Sequence, residues 1–265
     1  NDPWDWVTHF EKTVSKYCGS KYAIACDSNT NAIKLLLDYF KIENQTIIIP
    51  KNTYVSVAAQ ILATTNTLKF KDIEWDGYYR VGATPIIDAA TSFRQDLFKE
   101  IIDNKFDKTT CVVLSCHHRK ILNIGTGGVI LTNSSAINAI LRLLIYDGRT
   151  KNLLYDDDDF DFIGLHHYMT PEQAKRGLEI FHSDKIKSSN SNCGSSKTYK
   201  DLSITSAYTW CNDRQHIHKN ENNSVILSDI IHQNKSPLQK VIFHYQVMET
   251  DNLDYDALKS ELDGY

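Results

Sequence analysis

Short apolar segments alternate with segments of helical period along the first 180 residues, and this alternation limits the folds open to the chain. The strand-like segments are YAIAC (22–26), TIIIP (46–50), TLKFKDI (67–73), TPIIDAA (84–90), TCVVLSC (110–116) and GVILTN (128–133). Amphipathic helices are predicted at 5–17, 27–42, 53–64, 94–104, 134–148 and 170–181. Strands that alternate with helices through short loops predict an α/β protein. Its sheet is expected to be mostly parallel, with helices on both faces.

The composition changes after the last of these helices. Residues 185–197, KIKSSNSNCGSSK, are rich in Ser, Asn and Gly, which is typical of a linker. The segments VILSDII (225–231) and KVIFHYQVM (240–248) are strand-like and lie between polar loops. We therefore predict a large domain over 1–184, a linker over 185–197 and a small α+β domain over 198–265.

Composition excludes several classes of partner. Lys and Arg number 29 against 33 Asp and Glu, a net charge of -4, so there is no basic footprint for nucleic acid or an anionic membrane. No apolar run approaches the ~18 residues of a membrane span. The N-terminus shows no signal-peptide core, and the six cysteines include no C-x-x-C pair. A cytoplasmic protein with reduced core thiols and no metal site is expected.

Four polar clusters follow predicted strands, at the edge where open α/β sheets bind ligands. They are CDSNTNA (26–32) at a helix start, Tyr54, Asp88 at the end of a strand, and Lys120 before a Gly-rich turn. Each has an ordinary explanation: a helix cap, a packed ring, a solvated carboxylate and a surface lysine. Together they are a phosphate cradle, an aromatic plate, a carboxylate and an amine, the groups that hold pyridoxal phosphate (PLP).

The order of these segments resembles the DegT/StrS family of PLP-dependent sugar-nucleotide aminotransferases, which have PLP fold type I. The resemblance is carried by FEKTVSKYCGSKYAIACDSNTNAI (10–33), PKNTYVSV (50–57), DAA (88–90), SCHHRKILNIGTGG (115–128), LIYDG (144–148) and GLHHYMTPEQAKRG (164–177). Five positions separate Ser115 from Lys120, as in the family, and the glycine pair falls at 127 and 128. The motifs cover about residues 5–182.

The resemblance implies a role for each matching residue. Lys120 would attach the cofactor covalently, and Asp88 would pair with its pyridine nitrogen. Tyr54 would stack on the ring, and Thr91 stands where the family places a residue near the phenolic oxygen. His166 would reach the phosphate of a neighbouring subunit in a homodimer. The remaining phosphate ligands would be Thr30, Asn31 and Ser115. His117 and His118 are interpreted as substrate contacts or, slightly favoured, as polar residues at the cleft rim.

The resemblance also implies the reaction, the transfer of an amino group from glutamate to a nucleotide-linked keto sugar, with a 4-keto sugar favoured over a 3-keto sugar. The sequence departs from the family in ways that keep a second hypothesis open. Only residues 74–85 separate two strands that in the family are separated by a further strand and helix. The family's Glu in the Gly-rich turn is Thr126, and its Arg in the segment at 164–168 is Tyr168. The alternative is a PLP-fold protein that does not transaminate but binds a sugar nucleotide or acts as a regulator or scaffold.

Overall fold

The computed structural model describes residues 2–103, 109–151, 153–160, 162–183, 186 and 192–209. The helices are α1 (Asp5–Cys18), α2 (Asn29–Tyr39), α3 (Val55–Leu62), α4 (Leu97–Asp103), α5 (Ser135–Leu144) and α6 (Pro171–Phe181). The strands are β1 (Tyr22–Cys26), β2 (Thr46–Pro50), β3 (Thr67–Lys71), β4 (Tyr79–Arg80), β5 (Ile86–Asp88), β6 (Cys111–Ser115) and β7 (Gly128–Thr132). Short 3-10 helices lie at Tyr155–Asp157, Ser196–Thr198 and Leu202–Ile204.

Capping explains where several helices begin and end. α1 ends at Gly19, whose φ of 83° is the left-handed conformation that glycine adopts most easily. α6 begins with a capping box between Thr170 and Gln173, with Pro171 in the first turn. Both ends agree with the predictions from sequence.

The strands form two sheets. The larger has the order β1-β7-β6-β5-β4, and the smaller pairs β2 with β3 in parallel. β5 is parallel to β6, whereas β7 is antiparallel to both β6 and β1, and β4 is antiparallel to β5. The α/β class is confirmed. The five-stranded sheet is mixed, because β1, β5 and β6 share one direction and β4 and β7 run against it.

The two sheets separate at the short connection between β3 and β5. Between β3 and β5 the chain forms only β4, which pairs Tyr79 with Asp88 and Arg80 with Ile87. A parallel crossover needs about a dozen residues, usually with a helix, while an antiparallel partner needs only a short turn. The connection is therefore long enough for the hairpin and too short for the strand and helix that the family resemblance implies.

The core lies between the five-stranded sheet and the helices. All of β7 and nearly all of β6 are buried, and Phe10 and Val14 bring α1 against α6 and the sheet. Cys18, Cys26, Cys111 and Cys116 are buried free thiols in this core, and Cys193 is free and exposed. Burial raises the pKa of the Cys111 and Cys116 thiols to about 12.

Within the described ranges, no helix is both long and apolar enough to cross a membrane.

Backbone contacts divide the chain into one compact unit over residues 1–204 and another over 205–265. The predicted linker and the first residues of the predicted small domain thus belong to the first unit. The three-part division at 184 and 198 stays a prediction. The strand-like segments at 225–231 and 240–248 lie outside the described residues.

Candidate active site

A cavity of about 330 Å³ lies at the carboxyl ends of β5 and β6. These neighbouring strands are parallel, so their last residues, Asp88 and Ser115, come to the same edge of the sheet. The predicted site residues that line the cavity are Thr30, Tyr54, Asp88, Ser115 and Lys120. The structure therefore brings one residue from each of the four polar clusters, with Ser115, to one place.

Asp88 is only 5% exposed and is surrounded by neutral donors. Its Oδ1 accepts hydrogen bonds from the Ala90 N–H (3.0 Å) and from Asn29 Nδ2 (3.3 Å), and its Oδ2 accepts one from the Tyr79 hydroxyl (3.0 Å). Burial raises the pKa of the Asp88 carboxyl, and the three hydrogen bonds and the charge of Lys120 oppose that rise. A buried carboxylate held only by neutral donors is a favourable partner for a protonated ring nitrogen.

Lys120 ends a tight turn that follows β6. Its N–H donates to the His117 carbonyl (2.8 Å), and the Cys116 N–H donates to the Gly127 carbonyl (2.9 Å). Gly125 and Gly127 have φ values of 119° and 144°, which a residue with a side chain rarely adopts. The glycines of the SCHHRKILNIGTGG segment (115–128) thus allow the turn that delivers Lys120 to the cavity.

The start of α2 forms the wall beside β7. Ser28 caps the helix by accepting a hydrogen bond from the Asn31 N–H (3.1 Å), and Thr30 Oγ1 donates to Ser56 Oγ (2.8 Å). A Cβ at Gly128 would lie 2.4 Å from the carbonyl carbon of Ser28, so only glycine permits this approach. The backbone N–H groups of the first turn are thereby held where a phosphate binds well.

Three predicted cofactor contacts do not line the cavity. Asn31 Nδ2 donates to Asp27 Oδ2 (2.9 Å). The buried Thr91 hydroxyl lies 2.8 Å from the Gly77 carbonyl oxygen and 3.1 Å from that of Gly194. His166 is exposed, with its Nδ1 2.8 Å from Asp147 Oδ2. The contacts of Asn31 and Thr91 with a cofactor therefore stay predictions. The same holds for the contact of His166 with the cofactor of a neighbouring subunit.

The two histidines that precede Lys120, His117 and His118, differ in their position relative to the cavity. Their rings are 4.0 Å apart, but only His117 lines the cavity, together with Arg119, while His118 is exposed. Partial burial and the neighbouring charges of His118, Lys120 and Arg119 lower the pKa of His117. His117 therefore faces the cavity largely as a neutral imidazole at neutral pH.

Sequence reasoning missed several members of the site. Asn29 and Tyr79 hold Asp88, and the cavity is also lined by Cys193, Thr198 and Tyr199. Asn29 is part of the CDSNTNA cluster (26–32), so its position at the start of a helix could have indicated a role in the site. Cys193 belongs to a stretch whose composition predicts a linker, Thr198 and Tyr199 begin the predicted small domain, and no motif in either stretch indicated a site.

The donor set fits PLP. If PLP binds here, Asp88 would offer a buried carboxylate to the pyridine nitrogen, the N-terminus of α2 and the Ser115 hydroxyl would receive the phosphate, and the amine of Lys120 would meet the aldehyde. Tyr54, 54% exposed at the cavity, offers a ring that can pack against the cofactor.

Part of the chain is similar in sequence to known aminotransferases and sugar-nucleotide enzymes. Residues 5–95 match the sequence profile of the DegT/DnrJ/EryC1/StrS aminotransferase family. A curated relative, GDP-perosamine synthase of Caulobacter vibrioides, is 26% identical over 209 residues, 65% of this chain and 55% of its own length. This chain thus spans little more than half of that relative.

Solved structures share the fold at low sequence identity. A DegT DnrJ EryC1 StrS aminotransferase from Brucella abortus superposes with a TM-score of 0.53 at 18% identity, covering 69% of this chain and 59% of that one. Helicobacter pylori PseC, an aminotransferase of pseudoaminic acid biosynthesis, gives 0.52 at 19% identity, with 66% and 57% covered. GDP-4-keto-6-deoxymannose-3-dehydratase with a trapped PLP-glutamate geminal diamine gives 0.53 at 17% identity, with 69% and 61% covered.

Proposed function

We propose that the chain is an internally shortened member of the DegT/DnrJ/EryC1/StrS aminotransferase family and acts as a PLP-dependent sugar aminotransferase, because residues 5–95 match the family profile and a sugar-nucleotide enzyme is 26% identical. The observation that carries the proposal is the convergence of Asp88 and Lys120 on one cavity beside the N-terminus of α2. The substrates would be glutamate and a nucleotide-linked keto sugar. A 4-keto sugar is favoured by the relatives, one named a GDP-perosamine synthase and one a GDP-4-keto-6-deoxymannose dehydratase with glutamate in its trapped adduct.

When bound, PLP supplies a carbonyl carbon that accepts the amino group and a ring that withdraws electrons from it. Asp88 would keep a proton on the ring nitrogen, because its carboxylate is buried and oriented by Tyr79, Asn29 and the Ala90 N–H. The amine of Lys120, once released from the cofactor, would take the proton from the substrate carbon that carries the amino group.

The phosphate would be held by the start of α2 and by hydroxyl groups. Thr30 lies in the first turn of α2 and Ser115 at the end of β6, both on the cavity wall. Backbone N–H groups and the helix dipole both favour a phosphate at this point. Tyr54 would cover the ring from the side of α3.

A homodimer is part of this proposal. His166 follows α5 on an exposed loop, where a histidine can donate a hydrogen bond to the phosphate of a neighbouring subunit.

Absorbance spectroscopy with added PLP tests the proposal. We expect a band at the edge of the visible range that is lost in Lys120→Ala and bleached by glutamate. The matched control is Lys175→Ala, whose amine lies 5.6 Å from the Trp6 ring and does not line the cavity, and which should keep the band. A parent protein that forms no band with PLP at any pH would contradict the proposal.

A second function is favoured by the divided sheet. A protein that binds PLP or a sugar nucleotide without transamination would keep the cavity yet tolerate the lost crossover. The same absorbance experiment distinguishes the two functions. A PLP band that glutamate does not bleach supports the non-catalytic protein, whereas bleaching followed by recovery with a keto acid supports the aminotransferase.

A further inference from the structure

Residues 192–204, which include the end of the predicted linker and the start of the predicted small domain, form a segment that is fixed to the site by hydrogen bonds. The Cys193 N–H donates to the Thr91 carbonyl (2.7 Å), and the Leu202 N–H donates to the Lys51 carbonyl (2.8 Å). Both partners belong to loops that follow strands β5 and β2. The 192–204 segment therefore spans from one sheet to the other at the place where the short connection leaves a gap.

Tyr199 is the residue of this segment that enters the cavity, and its position is fixed on three sides. Its carbonyl accepts a hydrogen bond from Asn52 Nδ2 (3.0 Å), and its ring centroid lies 5.7 Å from that of Trp75 and 6.3 Å from that of Tyr54. Trp75 is itself held, because its Nε1–H donates to the Asn52 carbonyl (2.9 Å). The hydroxyl of Tyr199 is thus placed by an aromatic cluster and a backbone contact.

That hydroxyl meets the amine of Lys120, with Nζ 3.2 Å from the Tyr199 oxygen. A lysine amine moves on four rotatable bonds, and an anchored partner restricts where it points. A phenol hydroxyl can accept a hydrogen bond from the charged amine and donate one to the neutral amine. The contact can therefore persist in either protonation state.

We propose that Tyr199 is a positioning residue that holds the amine of Lys120 in the cavity for reaction with the cofactor. The inference rests on the proposed function and adds a residue outside the motifs that support it.

Two rates should move in opposite directions in Tyr199→Phe, which keeps the ring and removes the hydroxyl. Attachment of PLP to Lys120 should slow about fivefold, the equivalent of one ordinary hydrogen bond. Labelling of the same amine by trinitrobenzenesulfonate, in protein without PLP, should become about fivefold faster because the freed side chain samples solvent. The absorbance maximum of bound PLP should also shift, since the hydroxyl is lost beside the bound nitrogen.

The matched control is Tyr39→Phe at the far end of α2, roughly 14 Å along the helix from Thr30 at 1.5 Å per residue. It removes a partly buried hydroxyl without touching the cavity, and all three readouts should stay at parental values. Lys34, bonded to Asp38, serves as the internal reference for labelling. Circular dichroism should show both variants folded.

Peptide-resolved labelling by mass spectrometry decides the inference independently of catalysis. Faster labelling of Lys120 at constant Lys34 supports it, and unchanged labelling of Lys120 in Tyr199→Phe overturns it. If the parent protein takes up no PLP, the proposed function fails, while the labelling rates still give the answer for Tyr199.

Discussion

Asp88→Asn separates the chemistry of the site from its packing. In the parent, Oδ1 accepts from the Ala90 N–H and Asn29, and Oδ2 accepts from the Tyr79 hydroxyl. An asparagine can keep the first two bonds through its oxygen. Its amide can donate to the Tyr79 oxygen if that hydroxyl turns towards Thr53, 2.6 Å away. The free energy of unfolding without cofactor should therefore change by no more than about 1 kcal/mol.

Turnover should fall much more. A hydrogen bond that involves a charged group contributes about 1.5–3 kcal/mol, and every 1.36 kcal/mol corresponds to tenfold in rate. Loss of the carboxylate charge beside the ring nitrogen should slow the half-reaction with glutamate by roughly tenfold to 150-fold. Asp38→Asn, on the exposed face of α2, is the matched control. Stopped-flow rates for Asp88→Asn within a few-fold of the parent would refute the role of Asp88.

The same substitution should alter the pH dependence of stability. Burial raises the folded-state pKa of Asp88 above its ordinary value of 3.8, so the native state holds this proton to higher pH than the unfolded state does. Stability should fall as pH rises from about 3.8 through the raised pKa, and Asp88→Asn should lack this decrease. Denaturant titrations at a series of pH values measure the difference.

Three further predictions concern the frame of the site. Thr91→Ala should lower the free energy of unfolding by about 1–2 kcal/mol, because the Gly77 and Gly194 carbonyls lose the hydroxyl that they share. Chemical denaturation should show that Thr91→Ser restores this stability. Equal stability of all three proteins would contradict the prediction. Gly128→Ala should lower the free energy of unfolding by about 2 kcal/mol or more and abolish PLP uptake, because the new Cβ would clash with the Ser28 backbone. A stable variant that binds PLP normally would show that this close approach is not needed. Light scattering should return about twice 30.3 kDa, and a monomer that binds PLP tightly would exclude a shared site.

The helices and strands could largely be predicted from periodicity because each carries its own local signal. β1, β2 and α6 occur at the predicted residues, and Asp88, Ser115 and Lys120 meet because the ends of parallel strands share one edge. β4 was not predicted, since two residues are too few to show a period. Its pairing with β5 depends on the absence of a competing strand, which no local pattern reveals.

The missed part of the site has the same physical origin. Tyr199 contacts Lys120 across 79 positions of sequence, from a segment of short 3-10 turns that begins at the end of the predicted linker. Thr91 was expected beside the cofactor, yet its hydroxyl lies between two backbone carbonyls that hold this segment. Both positions are determined by how the chain fills the gap between its sheets. That is a tertiary property and not a motif.

The central claim is that Lys120 is the attachment point for PLP at this cavity. Mass spectrometry of protein reduced with borohydride after addition of PLP tests it most directly. We expect a pyridoxyl adduct on the peptide that contains Lys120, and none in Lys120→Ala. An adduct on Lys151 or Lys175 instead, or an unmodified Lys120 in protein saturated with PLP, would contradict it.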